Sequence, residues 1–230
     1  MLLIAKNIIL KVTFEHFISN LYLLFSNLLY NLRMEMKKVK QSDHIDAILF
    51  DMVGVLLYKK EAYVSNTINK INSDNIEKLY NHVDDLLLIK DIKSKLHLTD
   101  KQIHDALPYI PMKFEKFRDL WNILPILKKN FKLAIINNGN AIARSYWNKK
   151  FDFSTFDIFV NSAIVKCKKP DPQIYLLTCR QLHVDPKKCL FMDDNKENIK
   201  TAQKLGMKVL WWNMENSKKD NLKSFLKLIS

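Results

Sequence analysis

The sequence predicts an α/β fold, a doubly wound parallel sheet with a small helical insert after its first strand. Short uninterrupted apolar runs, such as Ala47–Phe50, read as strands buried on both faces. Helical stretches separate the later runs, and that alternation builds a parallel sheet. One long helical segment, from about Tyr63 to Lys129, breaks the alternation after the first strand.

Taken in order, Ala47–Phe50 is the first strand. Within the helical segment, Asp74 with Glu77 and Thr99 with Gln102 have capping-box spacing, which places helix starts there. Pro108 and Pro111 interrupt the helices, and Phe114 to Leu127 reads as a further helix or helix pair. Leu133–Ile136 is a strand and Ala141–Lys149 a helix; Ile158–Val160 is a strand. Pro172–Leu182 is a helix with Asp171 as its cap and proline at the first helical position. Cys189–Met192 is a strand, Glu197–Leu205 a helix closed by Gly206, Val209–Trp212 a strand and Asn221–Ile229 a last helix. The expected division is an α/β core over 41–60 and 126–230, a helical cap over 61–125 and an extension over 1–40.

That extension is the odd part. Residues Phe17 to Leu32 carry no charge and end at Arg33, followed by Lys37, Lys38 and Lys40. The run is shorter than the ~20 residues of a spanning helix. Asn20, Asn27 and Asn31 share one helical face, and Phe17, Leu21, Leu24, Phe25, Leu28 and Leu32 the other. Residues 1–33 therefore read as a membrane-surface or partner-docking helix, as an uncleaved anchor, or as a stretch upstream of a start at Met34 or Met36.

The formal charge of +13 favours anionic ligands. The lysines are dispersed rather than interleaved with aromatics, so a nucleic-acid surface is not expected. Cys167, Cys179 and Cys189 lack metal-ligand spacing and predict reduced thiols in a cytoplasmic protein. A monomer or homodimer is the separate expectation for its assembly. The six histidines form no HxxxH or HExxH pattern.

In an open parallel sheet the site lies beyond the carboxyl ends of the strands. Three predicted strands end there in polar residues: Asp51 after Phe50, Asn137-Asn138 after Ile136, and Asp193-Asp194 after Met192. Lys169 precedes Pro170-Asp171-Pro172 in a loop that opens a helix. Carboxylate oxygens suit Mg²⁺, while amides and an ammonium suit a phosphoryl group.

In these segments the chain resembles the haloacid dehalogenase superfamily. They are Asp46-Ala-Ile-Leu-Phe-Asp51-Met-Val-Gly54-Val-Leu, Leu133-Ala-Ile-Ile-Asn137-Asn138-Gly139, Lys169-Pro-Asp-Pro, and Leu190-Phe-Met-Asp193-Asp194-Asn-Lys-Glu-Asn198 with Gly206-Met207. The resemblance covers about Asp46 to Trp212 and is similar in flavour to the phosphatase domain of soluble epoxide hydrolases, with a Rossmann-like core and a small helical cap.

The resemblance implies a phosphatase of small phosphorylated metabolites in which Asp51 attacks phosphorus and forms an aspartyl-phosphate. It implies Mg²⁺ held by Asp51, the carbonyl of Val53, and Asp193 and Asp194, the latter more directly. Lys169 would neutralise charge, and Asn137 with the backbone around Asn138 would bind phosphate oxygens. Gly54 would turn the chain away from the metal, and Gly139 would leave space beside the phosphate.

Two positions depart from the pattern. Val53 stands where these phosphatases usually carry a second aspartate, and valine neither protonates a leaving group nor activates water. Asn137 stands where the family usually has Ser or Thr. Two alternatives follow: an idle homologue that binds a phospho-ligand or a protein, and a carbon-halogen hydrolase working without metal. The second leaves Asp193 and Asp194 without a purpose, which favours the phosphatase. Tyr58, Lys59, Lys60 and the Tyr109–Met112 turn are expected crevice neighbours or ordinary packing residues.

Overall fold

The computed structural model describes residues 44–80 and 83–230. The expected extension over 1–40 lies outside the described residues. Among those described, no helix is long and apolar enough to cross a membrane.

Strand β1 (Ala47–Phe50) is wholly buried, as its unbroken apolar run requires. After Asp51 the chain turns sharply. Gly54 takes φ +101°, a conformation costly for any side chain, and its N–H donates to the Leu57 carbonyl at 2.8 Å. Strand β2 (Leu57–Lys59) then pairs antiparallel with β3 (Phe114–Lys116), Tyr58 facing Glu115. The chain thus leaves and returns through a two-stranded ribbon.

Between β2 and β3 lie four helices: α1 (Ile68–Lys78), α2 (Asp85–Leu96), α3 (Asp100–Ala106) and α4 (Tyr109–Met112). They enclose an apolar cluster including Ile76, Leu88, Ile92, Ile103 and Ile110. The Thr99–Gln102 capping box is present at the start of α3. Asp74 and Glu77 instead sit inside α1, whose cap is Thr67. Both carboxylates turn inward to the fully buried Lys113, at 2.5 Å from Asp74. A buried ammonium needs such partners, and this demand outweighs the local capping pattern. Pro111 does not break a helix but lies inside α4.

Phe114 to Leu127 is not a helix pair. Its first residues form β3, and α5 (Arg118–Leu127) follows. Three residues are too few for an alternation to register in sequence; pairing with β2 decides them. The Trp121 indole N–H donates to the Leu56 carbonyl at 2.8 Å and ties α5 to the turn beyond Asp51.

The remaining elements are β4 (Lys132–Asn137), α6 (Arg144–Lys150), β5 (Ile158–Asn161), α7 (Ser162–Val165), α8 (Pro172–Leu182), β6 (Cys189–Asp193), α9 (Lys196–Lys204), β7 (Lys208–Trp211) and α10 (Lys218–Ile229). Asp171 caps α8, its side chain accepting from the Gln173 N–H at 2.8 Å. Gly206, at φ +83°, ends α9.

The five-stranded sheet has the order β5-β4-β1-β6-β7, and all its pairs are parallel. Phe50 is in register with Ile135 on one side and Met192 on the other. Strand order reverses at β1, so the carboxyl ends of β1, β4 and β6 open on the switch-point crevice. Ala47, Leu49, Ala134, Ile136 and Phe191 pack with Ile174, Tyr175 and Ile199 of α8 and α9.

Candidate active site

The residue beyond each central strand converges on one point. Lys169 Nζ donates to Asp51 Oδ1 at 2.6 Å and to Asp193 Oδ2 at 2.7 Å. One ammonium therefore serves two carboxylates, and Asp194 brings a third within the same small volume. An oxygen from each of Asp51, Asp193 and Asp194 lies within 4.8 Å of the others. Among the described residues this is the one carboxylate cluster with such spacing.

The electrostatics follow from that crowding. Burial pushes the Asp51 carboxyl up to about 7, Lys169 opposing the rise and Asp193 adding to it. Asp194 is raised by burial and by Asp193. For Lys169, burial disfavours the charged form, but Asp51 and Asp193 outweigh it and hold the ammonium above its ordinary value. Three acids facing one base leave an excess of negative charge. Hard oxygen donors with unbalanced charge fit a divalent cation such as Mg²⁺.

The carboxylates differ in freedom. Asp193 is engaged by Lys169, by the Asn195 N–H at 2.8 Å, and by Asn198 Nδ2 at 3.0 Å from both its oxygens. Asp194 is less enclosed, and its carboxylate lies over Gly54. A Cβ on Gly54 would stand 2.6 Å from Asp194 Oδ2. The turn therefore needs glycine for its backbone and for the carboxylate above it.

The Asn138 side chain is tied to the backbone of Lys169. Its amide donates to the Lys169 carbonyl at 2.8 Å and accepts from the Lys169 N–H at 2.8 Å. The Asn137 side chain has no hydrogen-bond partner among the described residues and lines a cavity of about 220 Å³. Gly139 lies beside it, and a Cβ there would collide with the Asn137 amide nitrogen. The Gly139 N–H is taken by Ser162 Oγ at 3.0 Å.

Val53 is part-exposed on the wall of the same cavity. Tyr80, Phe114, Arg144 and Trp147 also line it, and sequence reasoning named none of them for the site. For Arg144 a signal existed: it is one of four arginines and stands seven residues after Asn137. Tyr58, by contrast, is buried, with its hydroxyl accepting from the Trp212 indole N–H at 2.5 Å. Tyr109 and Met112 line a different cavity, with His104 and Asp105. All three cysteines are free thiols.

The chain is 26% identical over 188 residues to the phosphorylated carbohydrates phosphatase of Thermotoga maritima, covering 73% of this chain and 84% of that one. It is 28% identical over 116 residues to bifunctional epoxide hydrolase 2 of Sus scrofa, covering 48% of this chain but 20% of that protein. In structure it is similar to a haloacid dehalogenase family enzyme of Bacteroides thetaiotaomicron, solved with magnesium and inorganic phosphate. The TM-score is 0.58 at 24% identity, over 72% of this chain and 92% of that one, a likeness of fold. The family description "haloacid dehalogenase-like hydrolase" matches residues 45–206, and the chain belongs to that family of hydrolases.

Proposed function

We propose that the protein is a Mg²⁺-dependent phosphomonoesterase acting on small phosphorylated metabolites, with phosphorylated carbohydrates as the first class to test. The observation that carries this reading is the cluster of Asp51, Asp193 and Asp194 around one Lys169 ammonium. A metal-free dehalogenase would have to keep those acids together without a cation, against their repulsion. The phosphatase named among the relatives supports the same choice.

In this reading Asp51, Asp194, Asp193 and the Val53 carbonyl hold the ion. When bound, Mg²⁺ supplies the positive charge that keeps Asp51 ionised and screens the phosphoryl oxygens. Asp51 attacks phosphorus, the ester P–O bond breaks, and an aspartyl-phosphate forms. Lys169 neutralises the nucleophile and the transferred group, and the Asn137 amide donates to a phosphate oxygen. Water then attacks the aspartyl-phosphate, releasing phosphate and restoring Asp51. The helical insert 61–125 acts as a cap that admits the substrate.

The leaving oxygen must take its proton from water, because Val53 has none to give. Val53 also supports a second reading, an idle homologue that binds a phospho-ligand or protein without turnover. Hydrolysis of p-nitrophenyl phosphate decides between them. Turnover that needs Mg²⁺, stops with EDTA and vanishes in Asp51→Asn is the expected result. Turnover equal in Asp51→Asn would sink the nucleophile assignment, and binding without turnover would leave the idle reading standing.

A further inference from the structure

We infer that the substrate carries a second anionic group within a few bonds of its phosphoryl ester, and that Arg144 receives it. This rests on the phosphatase reading and adds a substrate class to it.

Among the described residues, the cavity beside Asn137 carries one unpaired guanidinium. Its charged lining residues are Glu77 and Arg144. The Glu77 carboxylate is turned, with Asp74, onto the fully buried Lys113. Arg144 is exposed and has no carboxylate partner among the described residues. An unpaired guanidinium on a cavity wall, with donors in a fixed fork, matches a carboxylate or a phosphate.

The other polar groups narrow the choice. Asn138 is engaged by the Lys169 backbone, and Asn161 donates to the Asn140 carbonyl at 3.2 Å and accepts from the Ala163 N–H at 3.0 Å. Asn140 Oδ1 accepts from the Ala143 N–H at 3.2 Å. Three of the four cavity asparagines therefore hold the loops, and Asn137 is the one whose side chain has no hydrogen-bond partner among the described residues. Free donors at Asn137 and Arg144 describe a ligand with an anionic group at each end.

Size agrees. A cavity of about 220 Å³ has room for a short phosphorylated acid or a short bisphosphate.

Three matched probes test this: ethyl phosphate, phosphoglycolate and ethylene glycol bisphosphate. In wild-type protein with Mg²⁺, kcat/KM for either probe with a second anionic group is expected to exceed that for ethyl phosphate. Arg144→Ala is expected to lower that preference about ten- to a hundredfold, mainly through KM, and Arg144→Lys to restore part of it. Whichever probe loses more identifies a carboxylate or a phosphate as the second group. The same preference in wild type and Arg144→Ala would overturn the inference.

Calorimetric titration of Asp51→Asn, with and without Arg144→Ala, reads the same preference as Kd without needing turnover. Wild-type protein without p-nitrophenyl phosphate turnover would sink the phosphatase reading alone. A Kd preference unchanged by Arg144→Ala would sink the Arg144 assignment alone.

Discussion

Asn138 grips the backbone of Lys169 at both ends of its amide, each bond 2.8 Å long. The residue that follows Asn137 on β4 thereby fixes the loop whose ammonium bridges Asp51 and Asp193. In the proposed reaction Asn138 would act through Lys169, as a positioning residue.

Replacing it with leucine removes both bonds and leaves the Lys169 amide and carbonyl without those partners. A catalytic group displaced by a fraction of an ångström costs rate more than binding. Asn138→Leu is expected to lower kcat about 10²-fold with a smaller change in KM. Steady-state kinetics on p-nitrophenyl phosphate check this; a change confined to KM would assign Asn138 to substrate contact instead.

Gly54→Ala brings a methyl group against Asp194, 2.6 Å from its Oδ2, on a backbone at φ +101°. The carboxylate has to move. Half-saturation by Mg²⁺ is expected to rise about tenfold or more, in keeping with changes beside metal ligands. Activity measured across a Mg²⁺ titration reads the shift, and an unaltered titration curve would refute it.

Val53 lies on the cavity wall, and in the proposed reaction a proton donor at this position would serve the leaving group. Val53→Asp supplies one. Rates on alkyl phosphates are expected to rise about 10² to 10⁴-fold, and those on p-nitrophenyl phosphate much less, because nitrophenolate leaves without a proton. Equal gains on both substrates would argue that the acid acts elsewhere.

The Asp157 carboxylate accepts from the Leu133 N–H at 2.8 Å and pairs with Lys128. Burial raises its pKa, but Lys128 and the Leu133 N–H outweigh it, and the net shift is below the ordinary 3.8. A depressed folded-state value gives stability that is present above the unfolded pKa and lost as pH falls through the folded one. Urea unfolding of wild type and Asp157→Asn is expected to differ at neutral pH and to converge as pH falls through the depressed folded-state value. A gap that persists unchanged in acid would exclude the charge as its source.

Much of the site could be read in the sequence because its residues end strands. Apolar runs such as Ala47–Phe50 and Cys189–Met192 mark where a buried strand stops, and a polar residue just beyond marks the crevice end. The insert was less legible. Asp74 and Glu77 have capping-box spacing, yet both face Lys113, distant in sequence and buried beside α1. A spacing of three residues serves a cap and a helix face equally, and only the partner distinguishes them.

The sequence by itself determined the α/β alternation, the order of the strand-end acids and amides, and the identity of Asp51, Lys169, Asp193 and Asp194 as neighbours in chemistry. These are local or periodic properties, carried by residue type and spacing. Tertiary structure alone decided that the Asn138 side chain holds the Lys169 backbone, that β3 pairs with β2, and that Arg144 lines the cavity without a carboxylate partner among the described residues. Each depends on which groups, far apart in the chain, pack or pair in space. No periodicity encodes that.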